Sequence, residues 1–470
     1  MPIATVNPAT GEVVRTFDAM SAGQVDRALS AAVDGFAALR GTTFASRAGW
    51  MRTAADLLDR ESGEVAALMT TEMGKTLAAA RAEVGKCATA ARYYAEHAER
   101  MLAEEEGDAD AVGARRAYVR YQPIGPVLAI MPWNFPLWQA MRFAVPALMA
   151  GNVGLLKHAS NVPQTALYLG ELFGRAGFPA GAFQTLLVGS DAVGKVLTDP
   201  RVRAATLTGS DAAGRAVAEI AGRVLKKTVL ELGGSDPYVV MPSADLERAA
   251  EVAVTARCQN NGQSCIAAKR FIVHTDVYDR FADLFVQRMA ALTVDDPMSE
   301  KTDVGPLATE SGRDGVHAQV RDAVDHGATV LCGGRLPERP GWWYPPTVVA
   351  DLTPDMRMWC EEVFGPVAAL FRADSYAHAV ALANDSPFGL GSNAWTGDPS
   401  EQERFAADLD AGMVFVNGMT TSYPQLPFGG VKDSGYGREL SAQGIREFCN
   451  VKSIWVAAPT PAGPDLSRTE

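Results

Sequence analysis

The strongest constraint on this chain is a regular alternation of short apolar strands and helices between Val127 and Leu232. Strands are expected at Val127–Met131, Gly154–Lys157, Gln184–Val188, Ala204–Thr208 and Thr228–Leu232. Leu137–Met149, Pro163–Ala176, Ala192–Thr198 and Gly214–Ala221 carry helical spacing between them. Strands apolar on both faces and separated by helices imply a parallel sheet covered on both sides, so the fold class is α/β. Ligands of such sheets bind beyond the carboxyl ends of the strands. That rule directs attention to Trp133-Asn134, Lys157–Ser160, Gly209-Ser210 and Glu231–Gly234.

The rest of the chain is organised around this block. The N-terminus reads as strand–turn–strand, Ala4–Val6 and Val13–Phe17 around Asn7–Gly11, and Ser21 to Ala103 reads as helical. The acidic cluster Glu104–Glu106 and Asp108 suggests a solvated loop before a strand at Tyr118–Tyr121. Alternation resumes after Asp236, with helices at Leu246–Gln259, Val277–Leu292 and Ala377–Ala383 and strands at Phe271–His274, Thr329–Cys332 and Met413–Val416. A boundary is expected near Gly233-Gly234, and the Pro-rich tail from Ala457 is expected to be disordered. At 470 residues the chain exceeds the roughly 250–300 residues at which single cores stop growing.

The net charge of −12 argues against a nucleic-acid surface. The start carries no secretory signal and no run is long enough to span a membrane, so a cytoplasmic location without membrane or nucleic-acid partners is expected. Six scattered cysteines form neither a disulfide framework nor metal-ligand pairs, so no metal is expected.

Several residues could carry chemistry. Cys265 follows the polar run Asn260-Asn261-Gly262-Gln263-Ser264, which puts its thiol in a turn able to face a cleft. A lone cysteine is more often a buried core residue, whereas an accessible one can act as a thiolate nucleophile. Glu231 ends an apolar strand before Gly233-Gly234; among apolar neighbours its pKa should rise, as suits a general base, unless it faces water from a sheet edge. Asn134 lies between Pro132 and Pro136, where its amide could donate to an oxyanion or merely serve a turn. Lys157, ending an apolar strand, could meet a ribose or phosphate, or be only a surface lysine. The helix start after Gly209-Ser210 could meet a pyrophosphate, although the run lacks a G-x-G-x-x-G fingerprint and Ser210 could be only a cap.

Together these residues resemble the aldehyde dehydrogenase superfamily over roughly Ile3 to Val456. The resemblance rests on Pro132–Pro136, Leu156–Ser160, Leu207–Ser210, Leu230–Gly234, Asn261–Cys265, Glu362–Pro366 and Pro427–Gly430. The wording is most like the short NADP-dependent succinate-semialdehyde dehydrogenases. The resemblance implies Cys265 as nucleophile, Glu231 as the base that activates water, and Asn134 in the oxyanion hole. It implies cofactor contacts from Trp133, Asn134, Lys157, Ser160, Gly209, Ser210, Leu232, Glu362 and Phe364. NAD-preferring members commonly carry Glu where this chain has Ser160, so NADP is expected, with NAD the alternative. Arg142 and Ser422 match substrate-carboxylate anchors, but a second arginine of longer members is Gln259 here, leaving Arg257 or Lys269 as substitutes.

The implied fold has an atypical Rossmann cofactor domain (1–116 and 131–232), an α/β catalytic domain (233–444) and a small β-hairpin oligomerisation domain (117–130 with 445–457), before a tail at 458–470. A homo-dimer or homo-tetramer acting on a small aldehyde is the expectation. Its rivals are a dehydrogenase for another aliphatic or ω-carboxyl aldehyde, an acylating enzyme that transfers to coenzyme A, and a non-catalytic binding protein.

Overall fold

A computed structural model describes residues 2–458. The expected tail, from 459 onward, lies outside the described residues.

The alternation between Val127 and Leu232 builds a six-stranded sheet. Its order is Gly435–Tyr436, Lys227–Glu231, Ala204–Thr208, Pro126–Met131, Val153–His158 and Phe183–Thr185. All neighbours are parallel except Gly435–Tyr436, which runs antiparallel and pairs Gly435 with Glu231. The chain enters at Pro126–Met131, builds outward to Phe183–Thr185, then crosses to Ala204–Thr208 on the other side. Strand order therefore reverses between Pro126–Met131 and Ala204–Thr208, and the crevice at their carboxyl ends is where such sheets take ligands.

After Gly233-Gly234 a second sheet begins, in the order Thr329–Cys332, Thr347–Ala350, Val367–Ala373, Ala268–His274, Asp236–Val240, Gly391–Trp395 and Met413–Val416. Its central strands are buried on both faces. Val239, Ile272, Val349 and Phe371 belong to one hydrophobic cluster, and their neighbours Tyr238, Phe271, Val348 and Leu370 to another. Period-two alternation between two covered faces explains why these strands read as continuous apolar runs.

Two expectations need correction. Pro126–Met131 is not part of the 117–130 hairpin. It is a central strand of the six-stranded sheet, because its residues are apolar on both faces and Gly125, at φ +128, turns the chain out of the preceding strand. Arg116–Pro123 instead pairs with Cys449–Val456 in a separate sheet. The acidic cluster is not wholly loop either, since Glu105-Glu106 adds a third strand there, with Glu104 and Glu106 paired to Arg116. The helical N-terminal region comprises Ala22–Leu39, Phe44–Arg60, Ser62–Met73 and Leu77–Met101.

One buried ion pair joins this helical region to the sheet. The helix Trp138–Ala150 has no side-chain cap of its own. Glu83, from Leu77–Met101, accepts from the amides of Leu137 at 2.9 Å and Trp138 at 2.8 Å and pairs with the fully buried Lys75. It therefore supplies acceptors that the helix start lacks. Removing one partner of a buried pair strands the other charge, so Glu83→Ala should lower stability by about 3–5 kcal/mol. A urea-unfolding midpoint equal to that of the wild type would contradict this capping role.

Candidate active site

The polar run before Cys265 folds as a left-handed turn. Following the helix Leu246–Cys258, Asn260, Asn261 and Gly262 take φ values of 56°, 58° and 74°. Asn is among the few side chains that tolerate this region, and Gly262 has no alternative because a Cβ there would lie 2.3 Å from the Gly365 carbonyl carbon. Asn261 Nδ2 donates to the carbonyls of Gly74 at 2.8 Å and Pro306 at 2.9 Å, while its Oδ1 accepts from Gly305. Asn260 Nδ2 donates to Asn134 O at 2.8 Å and Gln263 O at 3.0 Å. Lys269 Nζ closes the turn by donating to the carbonyls of Ser264 at 2.8 Å and Cys265 at 2.6 Å.

The turn sets Cys265 in the wall between two cavities. The first, of about 300 Å³, lies at the crevice where strand order reverses. Trp133, Asn134, Gly209, Ser210, Leu232, Glu362 and Phe364 all line it, so seven of the nine residues expected at a cofactor meet there. Trp133 and Phe364 meet edge to face at 5.7 Å, and Gly233 leaves room for Glu362, whose Oε2 would lie 2.6 Å from a Cβ. Lys157 and Ser160 do not line this cavity; they stand beyond it, on and just after the strand Val153–His158.

The second cavity, of about 310 Å³, contains Arg142, Gln259 and Ser422, together with Phe135, Trp138 and Phe428. Gln139 lines both cavities beside Cys265. Sequence reasoning missed Gln139 and Lys86, which also lines the second cavity. The available signal was the spacing of Ala79, Ala82, Glu83 and Lys86, which places two charges on one alanine-rich helix face.

Electrostatics separate these groups. Burial pushes the Cys265 thiol up to about 11, against the opposing pull of Arg142 and Lys269. Asn134 Nδ2 donates to Gln263 O at 3.1 Å and retains a second N–H. Glu231 is 2% exposed, and neither carboxylate oxygen has a hydrogen-bond partner among the described residues. Its pKa stands well above the ordinary carboxyl value, first through burial and then through Glu439. Gly435 pairs over its strand, so it does not face water from an edge. Glu231 lines neither cavity, and its Oε1 lies against Gly429.

The substrate-anchor expectations also change. Arg142 reaches the second cavity, but its guanidinium is ion-paired with the buried Glu439 and lies 4.2 Å from the Phe428 ring. Arg257 and Lys269 do not replace the missing arginine. Arg257 is fully buried and donates to the carbonyls of Ala268 and Gly262, and Lys269 is held by Ser264, Cys265 and Glu362. Ser422 Oγ does face the cavity, accepting from Trp138 Nε1 at 3.1 Å.

Comparison with known proteins places this geometry in context. The model of the aldehyde dehydrogenase family matches residues 1–454. A succinate-semialdehyde dehydrogenase (NADP(+)) of Mycobacterium avium (strain 104) is 64% identical over 459 residues, covering 97% of each chain. Succinate-semialdehyde dehydrogenase (NADP(+)) 1 of Mycobacterium tuberculosis is 65% identical over 457 residues, covering 97% of this chain and 100% of its own. The crystal structure of succinic semialdehyde dehydrogenase from Streptococcus pyogenes in complex with NADP+ matches with a TM-score of 0.94 at 38% identity, covering 97% of this chain and 100% of that one.

A thiol with a pKa near 11 is almost wholly protonated at neutral pH. Its alkylation by iodoacetamide in the ligand-free protein should therefore rise about tenfold per pH unit between roughly pH 7 and 10. Mass spectrometry of the Cys265 peptide measures this, and a rate that levels off near pH 7 would contradict the raised pKa.

Proposed function

The chain belongs to the aldehyde dehydrogenase family, and on that premise we propose that it oxidises succinic semialdehyde to succinate with NADP as hydride acceptor. The observation that carries this reading is the place of Cys265 between two cavities, each able to hold one reactant. Relatives at 64–65% identity over nearly the whole chain, named for this substrate and cofactor, support it.

The residues present fit a phosphorylated dinucleotide. The helix Asp211–Arg223 begins at the first cavity's wall, where helix amides favour an anion. Lys157 is 8% exposed, and burial alone lowers its pKa, with no carboxylate opposing the shift. A buried ammonium without a counter-ion favours an anionic ligand. Ser160, three residues further on, carries a hydroxyl where a carboxylate would repel a 2′-phosphate.

The chemistry follows from the two-sided nucleophile. Cys265 Sγ adds to the aldehyde carbon and gives up its proton, forming a thiohemiacetal. The free N–H of Asn134 and the backbone N–H of Cys265 stabilise the oxyanion. A bound NADP supplies the hydride acceptor. Oxidation leaves a thioester on Cys265. Glu231 then takes a proton from the attacking water, and succinate departs as the thiol re-forms. In its ionised form a carboxylate with a raised pKa is a stronger base, which suits Glu231 to this step.

The exposed strand Cys449–Val456, with Val451 60% and Trp455 56% exposed, is the surface through which copies of the chain would join as a dimer or tetramer. Among the described residues no helix is long and apolar enough to cross a membrane. All six cysteines are free, which suits a reducing compartment, and we place the enzyme in the cytoplasm.

With succinic semialdehyde and NADP the protein should produce NADPH, followed by absorbance, and Cys265→Ala should abolish the signal. Turnover of other aldehydes but not this one would overturn the substrate assignment. Ser160→Glu should shift the ratio of kcat/KM for NADP over NAD toward NAD by about 100-fold, the scale of a like-charge juxtaposition. An unchanged ratio would remove Ser160 from cofactor selection.

A further inference from the structure

The second cavity is lined by one lysine that forms no ion pair among the described residues. Around it, Lys75 is paired with Glu83, and Arg142 with Glu439. Glu231, whose pKa burial raises, does not line this cavity and has no hydrogen-bond partner among the described residues. Lys86 lies on the same helix face as Glu83 and lines the cavity with Cys265. It forms no ion pair among the described residues. Glu83, the only carboxylate in the cavity lining, is already occupied by Lys75 and the amides of Leu137 and Trp138. Burial, followed by the nearby Arg142, lowers the Lys86 pKa to about 8.

Hydrogen bonding makes this corner a donor site. Lys86 Nζ donates to Ser422 Oγ at 2.6 Å and lies 4.5 Å from the Trp138 ring centre. Trp138 Nε1 donates to the same oxygen at 3.1 Å. A hydroxyl accepts two hydrogen bonds and donates one, so two donors on Oγ leave Ser422 only its proton to offer. Lys86 has spent one of its three N–H groups. The corner thus offers an O–H, spare ammonium N–H groups and a net positive charge, all in the cavity that holds the nucleophile.

We propose that Lys86 joins Ser422, the anchor already implied by the resemblance, in seating the carboxylate of the aldehyde substrate, and supplies the charge that the missing arginine at Gln259 does not. This rests on the reading that the substrate is succinic semialdehyde. Its carboxylate closes a salt bridge on Lys86 and accepts from the Ser422 hydroxyl, while Arg142 stays paired with Glu439. The aldehyde carbon then faces Cys265 across the same cavity.

The test compares succinic semialdehyde with butanal, which has the same carbon chain and a methyl group in place of the carboxylate. Lys86→Gln should lower the ratio of kcat/KM for succinic semialdehyde over butanal about 10- to 100-fold, mostly through KM, the scale of one hydrogen-bonded charge. Lys86→Arg should keep the ratio within about threefold of wild type, because it keeps the charge. Ser422→Ala should lower the ratio in the same direction, which gives a reading even if Lys86→Gln does not fold. A wild type that prefers succinic semialdehyde but keeps its ratio in both Lys86→Gln and Ser422→Ala would overturn this assignment alone. A wild type with no such preference would overturn the substrate reading, and this assignment with it.

Discussion

The site depends on three consecutive residues held in left-handed backbone. Without Asn260, Asn261 and Gly262 at positive φ, the helix Leu246–Cys258 would run on and carry Cys265 away from the crevice. Such a turn is costly in isolation and persists only where its surroundings over-determine it. Here Asn261 joins it to Gly74 in the helical N-terminal region and to Pro306, while Asn260 joins it to Asn134 beyond the six-stranded sheet. The nucleophile is therefore placed by contacts from several parts of the fold, and only the assembled protein can supply them.

Charge placement follows the same economy. Buried ions are tolerated where they are paired, and Lys75 with Glu83 and Arg142 with Glu439 meet that condition within the chain. Lys157 and Lys86 do not. Each is an incompletely compensated cation, one near each of the two cavities. A protein that leaves two such groups unpaired gives up stability in the ligand-free state. Anionic ligands recover it on binding.

Much of this was legible in the sequence because it is local. The strands Ala204–Thr208 and Met413–Val416 are where their apolar runs put them, since short β-branched and aliphatic stretches between turn residues have few alternatives. The polar run before Cys265 also foretold a turn facing a cleft. What escaped depends on partners distant in sequence. Nothing near Arg142 discloses that Glu439 neutralises it, and nothing near Glu231 discloses that Gly435 covers its strand and Gly429 meets its carboxylate. Lys86 sits in an unremarkable alanine-rich helix and gains meaning only when Ser422 and Trp138 fold against it. Val127–Met131 was also legible as a strand of the parallel sheet, and only the hairpin bounds 117–130 implied by the resemblance overran into it.

The partition made by Cys265 and Gln139 has a kinetic consequence. Because each chamber has its own lining, a molecule lodged in one need not overlap a molecule lodged in the other. The two chambers meet at one shared wall. Aldehyde and dinucleotide can then be held at once, one in each chamber. A compound filling only the aldehyde chamber would compete with aldehyde and leave dinucleotide affinity to be altered only through the wall itself.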